Sequence, residues 1–208
     1  RDRVKYDDAT SDALANACRT VAQNIDNALP SLKSSLTTAL EDFKGHYADV
    51  AAANIDTTIS DGRDIASIFR QLADVVDRLK ESAHKENENR DLMYHYEHDL
   101  GGFRKWWVET FGGEPPKPTS YKPDTSIDTT SLGHRESTET RSGSMTVSSA
   151  RPSTVRALSN TLANLGTSFD AEPGKLRNLS TEFMVKCQWG SVDAENLIST
   201  FEAWNKSN

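Results

Sequence analysis

Apolar side chains return every three or four residues from Leu14 and Cys18 through Ile25, Leu32 and Leu36 to Phe43, Tyr47 and Val50. That spacing averages about 3.6 residues, the turn of an α-helix, so these positions line one face of a helix over roughly Leu14–Asp42. Thr10 or Ser11 is placed to cap its start, with Asp12 in the first turn where a negative charge complements the helix dipole. Pro30 interrupts the run and should kink the helix or begin a new one, because it lacks a backbone donor and crowds the preceding turn. A second stripe passes through Ile55, Gly62, Ile65, Phe69, Leu72, Val76 and Ala83, with charged residues on the other faces. It predicts a long amphipathic helix over roughly His46–His98. Gly45 is the natural break between the two, as a glycine closing the first helix in a left-handed conformation.

Two long helices joined by a tight turn make an antiparallel hairpin. At 1.5 Å per residue the first helix would span about 44 Å and the second about 80 Å. The second therefore outruns its partner, and its late apolar residues Met93, Tyr94 and Tyr96 need another cover. Helices beyond residue 151 are the expected cover, through Val155–Leu165.

Between these parts the pattern stops. Of residues 112–154, 26 of 43 are Gly, Pro, Ser or Thr, and four of the seven prolines fall between Pro115 and Pro123. Such a segment buries too little apolar surface to offset its ordering entropy, so residues 112–151 read as a linker or strap. The Thr-rich run Tyr121–Leu132 is a candidate short strand. Helical spacing resumes over Pro152–Asp170, over Lys175–Cys187 after Pro173-Gly174, and from about Ala194 with Ser191 or Asp193 as cap. The expected fold is all-α: a long hairpin over 1–111, a Ser/Thr/Pro-rich strap over 112–151, and a helical segment over 152–208 that extends the hairpin into a bundle.

Composition narrows the function. Hydrophobic residues make up 36% of 208, which suits elongated helices with much exposed surface. No run approaches eighteen apolar residues, so no membrane span is expected, and no apolar signal core follows Arg1. The net charge is −7, with −6 on residues 1–111, and an acidic surface of this kind repels nucleic acid and anionic lipid. Cys18 and Cys187 sit at opposite ends of the chain. Two separate buried thiols is the simpler reading, and a single bridge between the halves is the alternative.

Several constellations invite a sharper reading. Phe43-Lys44-Gly45 is either an exposed aromatic-x-glycine recognition mark or a packed aromatic beside a capping glycine. Trp189-Gly190 is either a second turn mark, making the last helices a broken echo of the hairpin, or a buried Trp beside a helix-breaking Gly. His95-x-x-His98 with Asp91 has two imidazoles on one helix face, but His-Glu-x-x-His and paired Glu-x-x-His motifs are absent, and a solvated polar helix end is the plainer account. Phe103, Arg104, Trp106 and Trp107 form either a docking surface, since Trp and Arg concentrate in interface hot spots, or an apolar plug continued by Phe111. No phosphate loop, nucleophile elbow or nucleotide fingerprint occurs, so catalysis would need a site assembled from dispersed residues, and no cofactor is expected.

The two helices around an aromatic-x-glycine turn resemble the secreted helical hairpins of type VII secretion systems. More specifically, Asp42–Asp56 (DFKGHYADVAAANID), Asp64–Arg90 and the later Cys187–Trp204 (CQWGSVDAENLISTFEAW) resemble the N-terminal region of large actinobacterial polymorphic toxins. The resemblance covers most of the chain apart from the strap. It implies a leaderless substrate, made in the cytoplasm and exported folded to the envelope or beyond. Its helices would engage the secretion machinery and a chaperone or small hairpin partner, while a separate C-terminal toxin domain does the chemistry. Two features depart from the pattern. Phe43 stands where Trp is usual, and no Tyr-x-x-x-Asp/Glu export mark follows Tyr94 or Tyr96, since His98 and Leu100 occupy those places. The expected role is thus a non-catalytic targeting and partner-binding module. An elongated structural or adaptor protein that self-associates through the same helices is the alternative, and an enzyme with a dispersed site is the third.

Overall fold

The computed structural model describes residues 2–98, 101–114, 125, 127, 147–149 and 152–207. Their architecture is all-α. A 32-residue helix α1 (Asp8–Ala39) is followed by the two-residue strand β1 (Lys44–Gly45) and the 53-residue helix α2 (His46–His98). Next come α3 (Gly101–Phe111), β2 (Val147–Ser149), α4 (Pro152–Ser168), α5 (Glu172–Lys186) and α6 (Glu195–Lys206). No described helix is long and apolar enough to cross a membrane.

The α1–α2 hairpin forms as the spacing predicts, with three differences of detail. First, α1 starts earlier, because Asp7 supplies the cap. Its carboxylate accepts from the Ala9 N–H at 3.2 Å and the Thr10 hydroxyl at 2.8 Å. Thr10 and Ser11, the expected caps, are instead buried within the helix. Second, α1 runs unbroken through Pro30, which lies on the exposed face where the carbonyl it leaves unpaired can turn to solvent. Third, α1 is closed by Leu40 in a right-handed conformation, and Gly45, at φ +104°, instead turns the chain immediately before α2.

A ladder of side-chain pairs reads out the antiparallel register: the hydrogen-bonded Asp8–His84, then the ion pairs Asp12–Lys80, Arg19–Asp77, Asp26–Arg70 and Lys33–Asp56. These pairs are largely exposed, so they fix alignment more than they add stability. The holding force lies beneath them, in a core shared by both helices that includes Cys18, Ile25, Leu32, Phe69, Leu72 and Leu79.

The helices after the strap join this same core, as expected. Leu158 and Leu165 of α4, Leu176 and Phe183 of α5, and Leu197, Ile198 and Phe201 of α6 are all buried in it. Their placement differs from the expectation. α4 and α5 lie on α1, and α6 crosses α2, so Val155–Leu165 does not cover the far end of α2. The residues before Asp7 do that work, and farther along Tyr96 donates its hydroxyl to Glu114 at 3.2 Å. Tyr94 remains exposed, at 38%. One smaller expectation shifts and another is met. Pro173 falls in the first turn of α5 rather than separating two helices, whereas Asp193, one of the two expected caps, accepts from the Glu195 N–H at 3.1 Å just ahead of α6, whose N-cap position is Ala194.

Most of the strap, including all but Thr125 and Ile127 of the Tyr121–Leu132 candidate strand, lies outside the described residues. Its described strand β2 pairs antiparallel with β1, Lys44 opposite Ser149 and Gly45 opposite Val147.

Candidate functional site

Three places carry the residues singled out by sequence: the hairpin tip, the α5–α6 corner and the far pole of α2. At the tip, the Phe43 N–H donates to Ala39 O at 2.9 Å, continuing the helical ladder one step past α1. Phe43 itself is buried, at 9% exposure, and lies apart from the main core. β2 pairs beside it, and Thr154 at the start of α4 donates to Asp42 Oδ2 at 3.3 Å. The Phe43-Lys44-Gly45 turn is thus a packed aromatic next to a positive-φ glycine. An outward display of the ring is not what the fold provides.

Trp189-Gly190 lies in the connection between α5 and α6. Gly190 has φ +72°, and a Cβ there would come within 2.4 Å of Leu79 Cδ2 on α2. Only glycine fits that approach. Next to it the Trp189 indole N–H donates to Ser82 Oγ at 2.7 Å, and Ser82 is fully buried. The dipeptide therefore both turns the chain and pins the α5–α6 corner to α2. A half-buried Trp beside a helix-breaking Gly is the plainer of the two readings of Trp189-Gly190, and it is the arrangement the structure holds.

At the far pole Trp106 and Phe111 of α3 are exposed and Trp107 is half-buried, and the three rings pack on one another. Trp107 and Phe111 have ring centroids 4.6 Å apart, Trp106 and Phe111 5.9 Å, with Trp106 50% and Phe111 61% exposed. Phe103 belongs to α3, and its side chain lies outside the described residues. Arg104 is the tether. Its guanidinium binds Glu114 and lies 5.8 Å from the Tyr96 ring centroid, and Glu114 holds the arginine firmly protonated. Burial and the same carboxylate push the Tyr96 phenol up.

The metal constellation does not assemble. Among the described residues no three His, Cys, Asp or Glu side chains converge on a metal position. His98 stacks on Tyr94 at 4.3 Å with its Nδ1 2.9 Å from the Tyr94 carbonyl, and Asp91 is engaged by Arg3 at 2.6 Å. Cys18 and Cys187 are both free and buried. Burial pushes the Cys18 thiol up to about 12, and Cys187 Sγ donates to the Asp7 carbonyl at 3.4 Å. Neither is poised as a nucleophile.

One feature had no counterpart in the sequence reading: the first residues form an arm laid along α2. Asn87 holds Val4 at both backbone groups, accepting from its N–H at 2.8 Å and donating to its carbonyl at 3.4 Å. A polar cleft of about 320 Å³ runs between this arm and α2, lined by Arg3, Tyr6, Asp8, His84, Asn87, Glu88 and Asp91. The alternation Arg3-Val4-Lys5-Tyr6 was the available signal, although four residues are too few to separate an arm from a frayed end. No family model, curated protein or solved structure matches this chain.

Proposed function

We propose that the chain is a non-catalytic targeting and partner-binding module of a type VII secretion substrate, serving an effector domain outside these 208 residues. The observation that supports this reading is the antiparallel α1–α2 hairpin turned at Phe43-Lys44-Gly45, with Gly45 at φ +104°, where the secreted hairpins it resembles carry Trp-x-Gly. The packing redirects the partner surface. In such systems a second hairpin would complete a four-helix bundle on the first, burying apolar area at about 25 cal/mol per Å². Here α4, α5 and α6 already occupy the apolar faces of α1 and α2. Among the described residues, large apolar side chains stay exposed at the far pole, at Trp106, Val108 and Phe111, and on α5 at Met184 and Val185; the far pole, with its aromatic rings, is the surface assigned to a small hairpin partner or chaperone. Recognition there is chiefly apolar, so high salt should slow association more than it lowers affinity.

The test is coexpression with each small helical-hairpin protein encoded by the same genome, followed by copurification and an export assay. A Trp106→Ala/Phe111→Ala double variant should keep its melting temperature, lose the partner and fail export. Retention of partner and export by that variant would defeat the far-pole surface, and absence of any partner would defeat the reading as a whole. The alternative is an elongated adaptor that self-associates. The same exposed rings favour it, and concentration-dependent oligomers in the absence of any hairpin partner would identify it.

A further inference from the structure

α3 carries a two-fold pattern in its own sequence. Counted outward from Trp107, Trp106 mirrors Val108, Lys105 mirrors Glu109 with the opposite charge, and Phe103 mirrors Phe111. Gly101-Gly102 and Gly112-Gly113 then bracket the two ends alike, and Arg104 against Thr110 is the one unlike pair. A two-fold contact sets residue i of one copy on residue j of the other and j on i, so a mirrored helix meets an antiparallel copy of itself with its apolar positions matched. The order of charge, with Arg104 and Lys105 early and Glu109 late, favours that direction over the parallel one. Helical spacing sorts the same residues by side. Arg104, Trp107, Val108 and Phe111 follow one another at three or four along one face, with Trp106 at its edge. Lys105 and Glu109 lie on the other side, where they pair across one turn at 4.0 Å.

Trp106, Val108 and Phe111 are exposed on this helix, and Trp107 is half-buried with the rings of Trp106 and Phe111 packed on it. The charges nearby are already answered within the chain, Arg104 by Glu114 and Lys105 by Glu109, so covering the face strands no charge. The three exposed side chains leave about 300 Å² of apolar surface on each copy. Two copies cover about 600 Å² of it between them, which at the usual apolar share of a little over half corresponds to an interface of about 1,000 Å², the lower bound for a specific contact. A dimer of that size is reversible, with a dissociation constant micromolar or weaker.

We infer that α3 is a two-fold docking helix, through which two copies of the chain join far pole to far pole with their α3 helices antiparallel about an axis at Trp107. Trp106 of one copy then packs on Val108 of the second, and Phe111 lies at the level of position 103. The second copy is the occupant because it alone brings the mirrored sequence, the reversed order of charge and the matching apolar area together. The inference rests on the reading above in one respect, that the far pole is a docking surface. It adds a regulation of that surface. Crowded copies hold it closed, dilution opens it, and a hairpin partner must displace the second copy to reach it.

The experiment mixes two preparations of the full chain at high concentration. One carries a nitroxide on Thr110→Cys, exposed on α3 and selective over the buried Cys18 and Cys187, and the other is isotope-labelled and unmodified. Paramagnetic relaxation, read at low occupancy so that it grades with distance, should be strongest at residues 102–105 of the labelled copy and weaker at 109–112. Tenfold dilution should remove most of it. Val108→Glu in both preparations should weaken the pairing at least tenfold, and if that change disturbs α3 itself, Phe111→Ala supplies the same control. Relaxation strongest at 109–112, relaxation centred on Met184 and Val185, or pairing unmoved by both variants would overturn the proposal. No pairing alongside a hairpin partner that binds would overturn it too, and leave the reading above standing. Pairing that no hairpin from the same genome disperses would uphold the two-fold contact and defeat the hairpin reading.

Discussion

Gly62 stands in the middle of α2, where glycine is a poor choice on propensity alone. Replacing it with alanine in a helix interior should gain about 1 kcal/mol. The packing opposes that gain. A Cβ at Gly62 would sit 2.8 Å from Trp204 Cζ2 and 3.2 and 3.3 Å from the two Leu29 methyl carbons. Neither neighbour yields easily: the Trp204 indole N–H is bonded to Thr58 O at 3.0 Å, and Leu29 is 2% exposed. Overpacking of this kind costs about 1–3 kcal/mol, and contact with two held side chains places it toward the upper end. The net for Gly62→Ala is then a loss of about 1–2 kcal/mol. With a urea slope of about 2 kcal/mol per molar, the midpoint should fall by roughly 0.5–1 M. Trp204→Phe removes the colliding ring atom, so in that background Gly62→Ala should turn neutral or stabilising. Urea unfolding of the four proteins of this cycle measures the coupling. An alanine that stabilises the parent chain by the full propensity gain would show that α6 does not press on α2 at Gly62.

Phe43→Ala should destabilise the protein by about 3 kcal/mol, the low end for a buried phenylalanine because the site lies apart from the main core; thermal melts check this, and an unchanged melt would return Phe43 to the role of a displayed mark. Trp189→Phe and Ser82→Ala should each cost about 1–2 kcal/mol, and the double variant little more than either alone, because both delete the same buried hydrogen bond; urea unfolding reads the coupling. The Thr10 hydroxyl, then the Ala9 N–H, hold the Asp7 carboxylate below its usual range. Its folded value being lowered, the stabilisation is present above the ordinary carboxylate range and lost as pH falls through the folded value. The melting-temperature gap between the parent and Asp7→Asn should therefore close on acidification, and a gap independent of pH would refute the capping role.

The helices were legible because each must bury a continuous stripe, and stripes of Leu, Ile, Val and Phe at helical spacing survive in a single sequence. α2 was legible to its ends, since Gly45 bounds one side and the acidic, His-rich stretch the other. Pro30 misled because its cost depends on which face it occupies, and on the solvent face the orphaned carbonyl is tolerated. The position of α4 was not legible: an apolar stripe states that a helix is covered, not by which partner. β1 and β2 are two and three residues long and about a hundred residues apart, too short for alternation to register. The chain does turn at Gly45 and at Gly190, where the sequence placed turns, whereas Asn87 was invisible, because an amide that clamps backbone asks nothing distinctive of the residue it holds.

The seating of the arm also sets an order of events during synthesis. Asp7 and Cys187, joined across the corner, are 180 residues apart. The α1–α2 hairpin can zip from its own tip as soon as residue 98 emerges, whereas the α5–α6 side of the seat of the first residues, Gln188 on Lys5 and Cys187 on Asp7, waits until 183–188 follow. At 5–20 residues per second, that delay lasts roughly five to twenty seconds. Throughout it the nascent hairpin presents the stripes that α4, α5 and α6 will later cover, so the ribosome-bound chain offers a chaperone an apolar surface that the finished protein withdraws.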